Sequence, residues 1–278
     1  MLFTRVGKWG KKFRKVSYKT KSIFCERGSN MVEKVKIFAV CGSPIKNGNV
    51  ENFLKDALKA AEELENVEMD WVSMAGQKIE YCDQCNFCLS KKVTKGKFCS
   101  KNDFISQEIF PKLIKADAVL FATPVYISKA SSQINTLFDR MRAFAFSRFR
   151  NVLKNKVFSC LTVAWLRHAG VESAQIQLYE SALCHEMIPV SVHHAGAFYG
   201  GGAVSSLGGT GKFDPADKLQ VLKDEWGLNS GRCIVKRMVE VARLFKYGRK
   251  AMMRENIDIH ILPFSEEAQD FEKELYKI

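Results

Sequence analysis

The sequence predicts an α/β protein with a doubly wound, five-stranded parallel sheet. From residue 35 onward, short apolar runs of strand length alternate with stretches whose apolar residues recur at helical spacing. Five such alternations are typical of parallel strands that are covered by helices on both faces. We expect the strand order 2-1-3-4-5, with a cysteine-rich insertion between strands 2 and 3.

Turn-forming residues and changes of apolar period bound the individual elements. Strand 1 ends at Gly42-Ser43-Pro44, and the third helix has Ser131 or Ser132 available as an N-cap. The glycine-rich stretch 193–211 is expected to be a mobile cover or a subunit contact. The predicted strands cover residues 35–41, 67–73, 118–122, 157–166 and 190–192, and the predicted helices cover 50–64, 104–115, 131–146, 171–186 and 234–246.

Length and composition exclude several classes of protein. The chain has 278 residues, of which 46% are hydrophobic and 26% are charged. Both fractions are near the averages of globular proteins, which argues against a fibrous or wholly disordered chain. The apolar stretches fall short of the roughly 18 residues that a membrane-spanning helix requires. We therefore expect no membrane partner.

The positive charge is concentrated at the N-terminus. Residues 1–30 carry nine lysines and arginines against Glu26, a net charge of +8, so only +5 of the total +13 remains for the other residues. We expect 1–30 to be a disordered basic extension, followed by a domain at 31–250 and a tail at 251–278. The alternative is a basic arm that contacts acidic lipid or RNA. The extension lacks the apolar run of a secretion signal, which predicts a cytoplasmic protein.

The loop after strand 1 is suited to a phosphate group. It lies between a strand and a helix N-terminus, where free backbone N–H groups and the helix dipole converge. Ser43, Lys46, Asn47 and Asn49 add side-chain donors. The loop has neither of the common glycine-rich nucleotide patterns, G-x-G-x-x-G and G-x-x-x-x-G-K-[ST]. An ordinary turn with a helix cap is the alternative interpretation.

A second loop, at residues 123–128, follows strand 3 and is expected beside the first. In open α/β sheets, ligands bind beyond the carboxyl ends of the strands near the switch point. Pro124 fixes the backbone, and Val125, Tyr126 and Ile127 provide a flat, semi-apolar shelf. This shelf suits a planar heteroaromatic ring.

Four of the nine cysteines cluster between strands 2 and 3. Cys82, Cys85 and Cys88 are spaced by two residues each, and Cys99 follows after ten more. Short spacing of this kind lets one loop surround a 4Fe-4S cluster, in which each iron takes one thiolate. Zinc is the alternative, since four thiolates also complete a tetrahedral site, although structural zinc usually takes two separated pairs. A segment without metal is the third interpretation.

Together these segments resemble the iron-sulfur flavoprotein branch of the NADPH-dependent FMN reductases, which have a flavodoxin-like fold. The resemblance spans residues 35–246. The segments that carry it are Gly42-Ser43-Pro44-x-Lys46-x-Gly48-Asn49, Pro124-Val125-Tyr126, Gln133-x-x-x-x-Phe138-Asp139-Arg140, Asp224-x-x-Gly227-x-x-x-x-Arg232 and the four cysteines.

The resemblance implies two cofactors, FMN and a 4Fe-4S cluster, the latter held in the loop 80–103. Its implied metal ligands are Cys82, Cys85, Cys88 and Cys99. The FMN phosphate is implied to bind near the N-terminus of the first helix, with Val50 contributing its backbone amide. The implied FMN-binding residues are Ser43, Lys46, Asn47, Gly48, Asn49, Val50, Thr123, Pro124, Val125, Tyr126, Ile127 and Arg167.

The function implied is electron transfer between a reduced donor, such as ferredoxin or NAD(P)H, and an acceptor. The cofactors carry this chemistry, so no catalytic side-chain acid or base is expected. The family resemblance also implies a homodimer or homotetramer. The alternatives are an NAD(P)H-dependent FMN or quinone reductase without a cluster and a nucleic-acid-binding module that uses the basic arm. The small charge excess beyond residue 30 argues against the latter.

Overall fold

A computed structural model describes residues 34–258 and 265–276. The predicted basic extension 1–30 therefore lies outside the described residues. Within the two described ranges, no helix combines the length and the apolar character that crossing a membrane requires.

A predominantly parallel sheet forms the centre of the molecule. Its main path runs β2-β1-β3-β5-β6, which confirms the predicted order 2-1-3-4-5, with β5 and β6 in the fourth and fifth positions. β4 pairs antiparallel with the end of β3, and β7 pairs parallel with the second half of β5. The strands are β1 (Val35–Cys41), β2 (Val67–Ser73), β3 (Ala118–Tyr126), β4 (Lys129–Ala130), β5 (Val157–Ala164), β6 (Ile188–Pro189) and β7 (Gly201–Val204).

Helices cover both faces of this sheet, as the alternating pattern predicts. Alternate residues of β1 point to opposite faces, so Ile37 packs with α1 and α5 while Phe38 packs with α2, α3 and α4. The helices are α1 (Asn49–Glu62), α2 (Phe110–Lys115), α3 (Ser132–Ala145), α4 (Val171–Leu183), α5 (Glu225–Arg254) and α6 (Glu266–Tyr276). A turn of π-helix at Ile105–Ile109 precedes α2, and Ser131 caps α3 by accepting from the Ile134 amide.

The fifth strand position differs from the prediction. Instead of one strand at 190–192, β6 pairs with Val157 and Phe158, and β7 pairs with residues 161–164 of the same neighbour. The prediction of a mobile cover was wrong for Gly201–Val204, because β7 is a buried strand of the sheet. Its glycines permit close packing: a methyl group at Gly201 would lie 2.9 Å from the Gly231 Cα.

Helix α5 begins nine residues before the predicted start at 234 and continues to Arg254. Asp224 caps it by accepting from the Gly227 amide at 3.1 Å. Gly227 and Gly231, which disfavour a helix by propensity, allow close contact with Ala203 and Phe53 respectively. Tertiary packing therefore overrides the local signal.

The residues after α5 also contact the rest of the chain. Ser265 donates to the Arg150 carbonyl at 2.8 Å, and Arg148 forms an ion pair with Glu267 at 2.7 Å. Ala268 is buried. The domain boundary predicted at residue 250 stays a prediction.

Candidate functional site

Three loops meet at the carboxyl ends of the central strands. We call residues 42–48, 127–131 and 165–170 the strand-end loops. Ser131 donates to the Gly42 carbonyl at 2.6 Å, which joins the loops after β1 and β3. A methyl group at Gly170 would lie 2.5 Å from the Ser128 Cα, so the loop after β5 contacts the second loop through backbone. The predicted convergence at the switch point is present.

The first strand-end loop leads directly into α1. Gly48 is the N-cap, with no side-chain cap hydrogen bond, and the first N–H groups of the helix have no intrahelical acceptor. Ser43 is buried, and its hydroxyl accepts from the Ile45 amide at 3.1 Å. Asn47 adopts a left-handed conformation, with φ of 54°. Backbone donors at a helix N-terminus favour an anion at this position.

Glu51 is an acidic neighbour of this loop that the sequence did not single out. Its carboxylate accepts from the Asn47 amide at 3.0 Å and from Lys55 at 2.7 Å. Burial would raise the pKa of Glu51, but these hydrogen bonds outweigh it and lower the pKa below its ordinary value. The ionised carboxylate therefore fixes the shape of the loop.

Some predicted FMN-binding side chains already have partners. The Asn49 amide nitrogen donates to the Lys218 carbonyl at 2.8 Å, and its oxygen accepts from the Val221 amide at 3.0 Å. Thr123 is fully buried and its hydroxyl accepts from the Ser131 amide at 2.9 Å. These side chains join the elements around the loop, which leaves the backbone, Lys46 and Asn47 as the exposed groups nearest α1.

The predicted ring shelf is an extended hairpin rather than an open loop. Pro124, Val125 and Tyr126 continue β3, and Val125 pairs with Ala130 of β4. Ile127 has φ of 48° and is 94% exposed. A β-branched residue in this conformation is strained, and such strain is concentrated at functional sites. Burial raises the pKa of the half-exposed Tyr126, so its phenol stays neutral.

Arg167 lies in the third strand-end loop, after β5. Its guanidinium donates to the Gly208 carbonyl at 3.2 Å. It lines a cavity of about 390 Å³ together with His168 of the same loop, α4, the glycine-rich stretch and the start of α5. Its assignment to FMN remains a prediction.

The cysteine segment, residues 74–103, brings the four predicted metal ligands together. Cys82, Cys85, Cys88 and Cys99 line one small cavity beside α3. Gln84 and Asn86 both have left-handed backbone, with φ of 55° and 58°, which turns the chain sharply between successive thiols. All eight cysteines in the described ranges are free thiols. The structure therefore brings the four cysteines to one cavity, and their assignment as metal ligands remains a prediction.

Side chains on either side of the thiols hold this segment. Val93 and Phe98 are buried in the core, where Phe98 packs edge-to-face on Phe144 and Phe149. Lys101 forms an ion pair with Asp83 at 2.6 Å. The stretch 90–98 is thus anchored in the core by Val93 and Phe98, while its four lysines remain exposed.

The thiols interact electrostatically with one another and with α3. Burial raises the pKa of Cys88, and the neighbouring Cys99, Cys82 and Cys85 add to the shift, while Arg142 opposes it. Arg140 lies deeper and pairs with Asp103 at 2.5 Å, with both side chains fully buried. The sequence showed Arg140 within a family pattern but gave no signal that it faces the thiols.

Four thiolates can hold either a single zinc ion or an iron-sulfur cluster. Across the described part of the chain, no group of three or more His, Cys, Asp or Glu side chains is placed to hold a single metal ion. A closed zinc site brings all four sulfurs to about 2.3 Å from one ion. In a 4Fe-4S cluster, each of the four irons takes one thiolate.

The fold and the strand-end loops define a class of protein: α/β proteins of flavodoxin-like topology that bind ligands at the switch point. Among solved structures, RosB with a bound 8-demethyl-8-formylriboflavin-5'-phosphate intermediate is similar, with a TM-score of 0.57 and 15% identity over 82% of this chain and 90% of that chain. At this identity the likeness concerns the fold alone.

Sequence comparison defines the family within that class. Residues 35–197, more than half of the chain, match the family model described as NADPH-dependent FMN reductase. An iron-sulfur flavoprotein of Methanocaldococcus jannaschii is 32% identical over 76% of this chain and 100% of its own length. One from Archaeoglobus fulgidus is 32% identical over 78% of this chain and 100% of its own length. The chain belongs to the iron-sulfur flavoproteins of the NADPH-dependent FMN reductase family.

Proposed function

We propose that the protein is a redox iron-sulfur flavoprotein that binds FMN at the strand-end loops and a 4Fe-4S cluster in the cysteine segment. FMN and an iron-sulfur cluster are the cofactors that the family supports. The observation that carries the proposal is the presence of two sites of matching chemistry in one chain. One site offers backbone donors at a helix N-terminus, and the other has four thiols around one cavity.

The groups of the first site fit a phosphate ester attached to a flat ring. The helix amides of Gly48, Asn49 and Val50, with Lys46 and Asn47 at the rim, would bind the phosphate. Ser43 would hold the loop through Ile45, and Thr123 would hold the hairpin through Ser131. Pro124, Val125, Tyr126 and Ile127 would lie against the ring. When bound, FMN supplies the capacity to exchange electrons singly or in pairs.

The four thiols of the second site fit an iron-sulfur cluster, and the similarity to iron-sulfur flavoproteins favours a cluster over zinc. Its four thiols line one cavity. Cys82, Cys85, Cys88 and Cys99 would each bind one iron. We also place the protein in the cytoplasm, because a reducing compartment keeps four neighbouring thiols available to bind iron.

The proposal includes two possible classes of electron donor, NAD(P)H and an acidic one-electron carrier. NAD(P)H would deliver a hydride at the flavin, whereas an acidic one-electron carrier such as ferredoxin would approach the cysteine segment. Lys91, Lys92, Lys95 and Lys97 are exposed there. A cluster of lysines attracts acidic partners by long-range electrostatics. The chain's side chains bind and orient the cofactors and need not act as an acid or base.

Assembly into a homodimer or homotetramer is also proposed. Large apolar side chains are exposed near the carboxyl ends of the strands, among them Ile127, Trp165 and Trp226. Exposed apolar groups of this size favour burial against another copy. Sedimentation of the cofactor-loaded protein measures the oligomeric state, and a monomer at all concentrations contradicts it.

Anaerobic purification followed by absorbance and metal analysis tests the proposed function. The expected result is a flavin spectrum together with iron and acid-labile sulfide in equal amounts. A second measurement compares FMN with riboflavin: Lys46→Ala should weaken FMN binding and leave riboflavin binding unchanged, because only FMN carries the phosphate. Protein with neither flavin nor iron contradicts the proposal. Flavin without iron, combined with direct NADPH oxidation, supports the clusterless reductase instead.

A further inference from the structure

Arg140 carries buried hydrogen-bond donors that nothing in the described structure uses. Its side chain is fully buried. The Nη1 group donates to Asp103 and, at 3.1 Å, to the Glu80 carbonyl. The Nε and Nη2 atoms are buried without a hydrogen-bond partner. Leaving donors of a charged group unsatisfied is costly, so a buried guanidinium normally has acceptors on every side.

The unsatisfied atoms form one edge of the planar guanidinium. Nε and Nη2 present two parallel N–H groups, the geometry with which arginine binds paired acceptors. Arg140 lines the same cavity as Cys82, Cys85, Cys88 and Cys99. Burial would lower the pKa of Arg140, but the hydrogen bond to Asp103 and the charge and hydrogen bonding of the nearby Cys99 thiol raise it above its ordinary value. The group that this edge lacks is therefore an anionic acceptor within the four-thiol cavity.

We infer that Arg140 donates from Nε and Nη2 to sulfur atoms of the bound cluster and raises the cluster's reduction potential. The inference rests on the proposed function, because it requires a cluster in the cavity. Reduction adds one electron to the cluster, with no proton transferred and no bond broken, so the net charge becomes more negative by one. A fixed buried cation stabilises the reduced form more than the oxidised form.

Asp103 serves as the positioning residue for this guanidinium. Its carboxylate accepts from Arg140, from the Glu80 amide at 2.8 Å and from the Ser106 amide at 3.3 Å. These bonds fix the orientation of the guanidinium through Nη1. Second-shell contacts of this kind orient the groups that tune a metal centre.

Arg142 provides a matched control on the same helix. It also lines the cavity, but it is only partly buried and its Nη1 already donates to Asn86 at 3.0 Å. Solvent screens a partly exposed charge far more than a buried one. Arg142→Gln should therefore change the potential much less than Arg140→Gln.

The experiment is an anaerobic redox titration of the cofactor-loaded protein with dithionite and mediators. Electron paramagnetic resonance follows the reduced cluster, and absorbance follows the flavin. In R140Q, the ratio of reduced to oxidised cluster at a fixed potential should fall at least tenfold, a shift of about 59 mV for a one-electron couple. The flavin potential should not change. Equal cluster potentials in R140Q and R142Q would overturn the inference.

A second variant covers the case in which R140Q fails to fold or to hold iron. Arg140→Lys keeps a positive charge but loses the two parallel donors. The cluster should therefore stabilise R140K against heat less than it stabilises the wild type, measured as the difference between the loaded and iron-free proteins. If R140K matches the wild type in both this difference and the cluster potential, the inference is wrong. If the wild-type protein contains no iron and sulfide, both the proposed function and this inference are wrong. If the cluster is intact but its reduction potential does not change when Arg140 is replaced, only this inference is wrong.

Discussion

The strand-end loops and the cysteine segment position their polar groups by different means. The strand-end loops are joined by backbone contacts, such as Gly170 against Ser128 and Ser131 to the Gly42 carbonyl. The cysteine segment has little regular structure and is held by Val93, Phe98 and the Lys101–Asp83 ion pair, while Cys85 is exposed. Contacts between backbone segments therefore position the first region, whereas a few side-chain contacts position the second. The two regions should respond differently to substitution.

The largest expected effect is the loss of one cofactor without loss of the other. Cys85→Ser removes one iron ligand and should abolish iron and sulfide binding, because a cluster needs all four thiolates. FMN affinity should stay within about twofold, as for independent sites. Metal analysis and flavin fluorescence measure both. Cys184→Ser, at an exposed thiol after α4, is the matched control and should retain iron. Iron at the wild-type level in C85S would contradict the ligand assignment.

The next effect tests whether backbone contact holds the strand-end loops. In Gly170→Ala, the new methyl group would overlap the Ser128 backbone, and φ is +90°. We expect a loss of about 2–3 kcal/mol in the free energy of unfolding, together with weaker FMN binding. Gly76→Ala shares the positive φ but faces open space, so it should cost only about 1 kcal/mol. Urea denaturation measures both, and equal losses would show that packing contributes nothing at Gly170.

A smaller effect is the pH dependence that Glu51 gives to the first loop. Its folded-state pKa is lowered from 4.5, so its contribution to stability is complete above that value and is lost as the pH falls through the folded pKa. Glu51→Gln should destabilise by about 1–2 kcal/mol near neutral pH, and the difference should disappear in acid. Urea unfolding across this pH range measures it. Glu62→Gln, on the exposed side of α1, should leave the curve unchanged, and a pH-independent loss in E51Q would contradict the ionic explanation.

The smallest effect concerns Asn49. Its side chain joins α1 to residues 218 and 221, so Asn49→Ala should cost about 1 kcal/mol of stability. If the side chain serves only this connection, FMN and riboflavin affinities should change equally. Isothermal titration with both ligands measures this. A selective loss of FMN affinity would instead assign the Asn49 side chain to the phosphate, as the family resemblance implies.

The sheet could be predicted because its apolar pattern is local. Strands β1 and β2 have the predicted bounds, and β3 and β5 start at the predicted residues. β7 could not be predicted, because Gly201 and Gly202 disfavour strands by propensity and are required only by contacts with α5 and α4. The same holds for Gly227 and Gly231, whose helical state depends on partners distant in the sequence.

In the candidate sites, too, the features set by local sequence could be predicted and those set by distant contacts could not. The four cysteines are recognisable from spacing, and the loop before α1 is recognisable from its position between strand and helix. Glu51 and Arg140 are not, because an acidic residue in a first turn and an arginine on a helix are ordinary in sequence. Their roles arise from long-range neighbours, Ser73 for the former and Asp103 for the latter.

The number of residues between Val93 and Phe98 in the cysteine segment can vary, because both side chains are anchored in the core. Val93 and Phe98 are fixed in the core, and the chain between them reverses at Lys95 and Gly96 in a tight turn that faces water. Cys99 follows Phe98 directly. Its position is therefore set by the buried Phe98 ring and does not depend on the number of residues between Cys88 and Cys99. This spacer could be lengthened or shortened at its tip without displacing the fourth thiol.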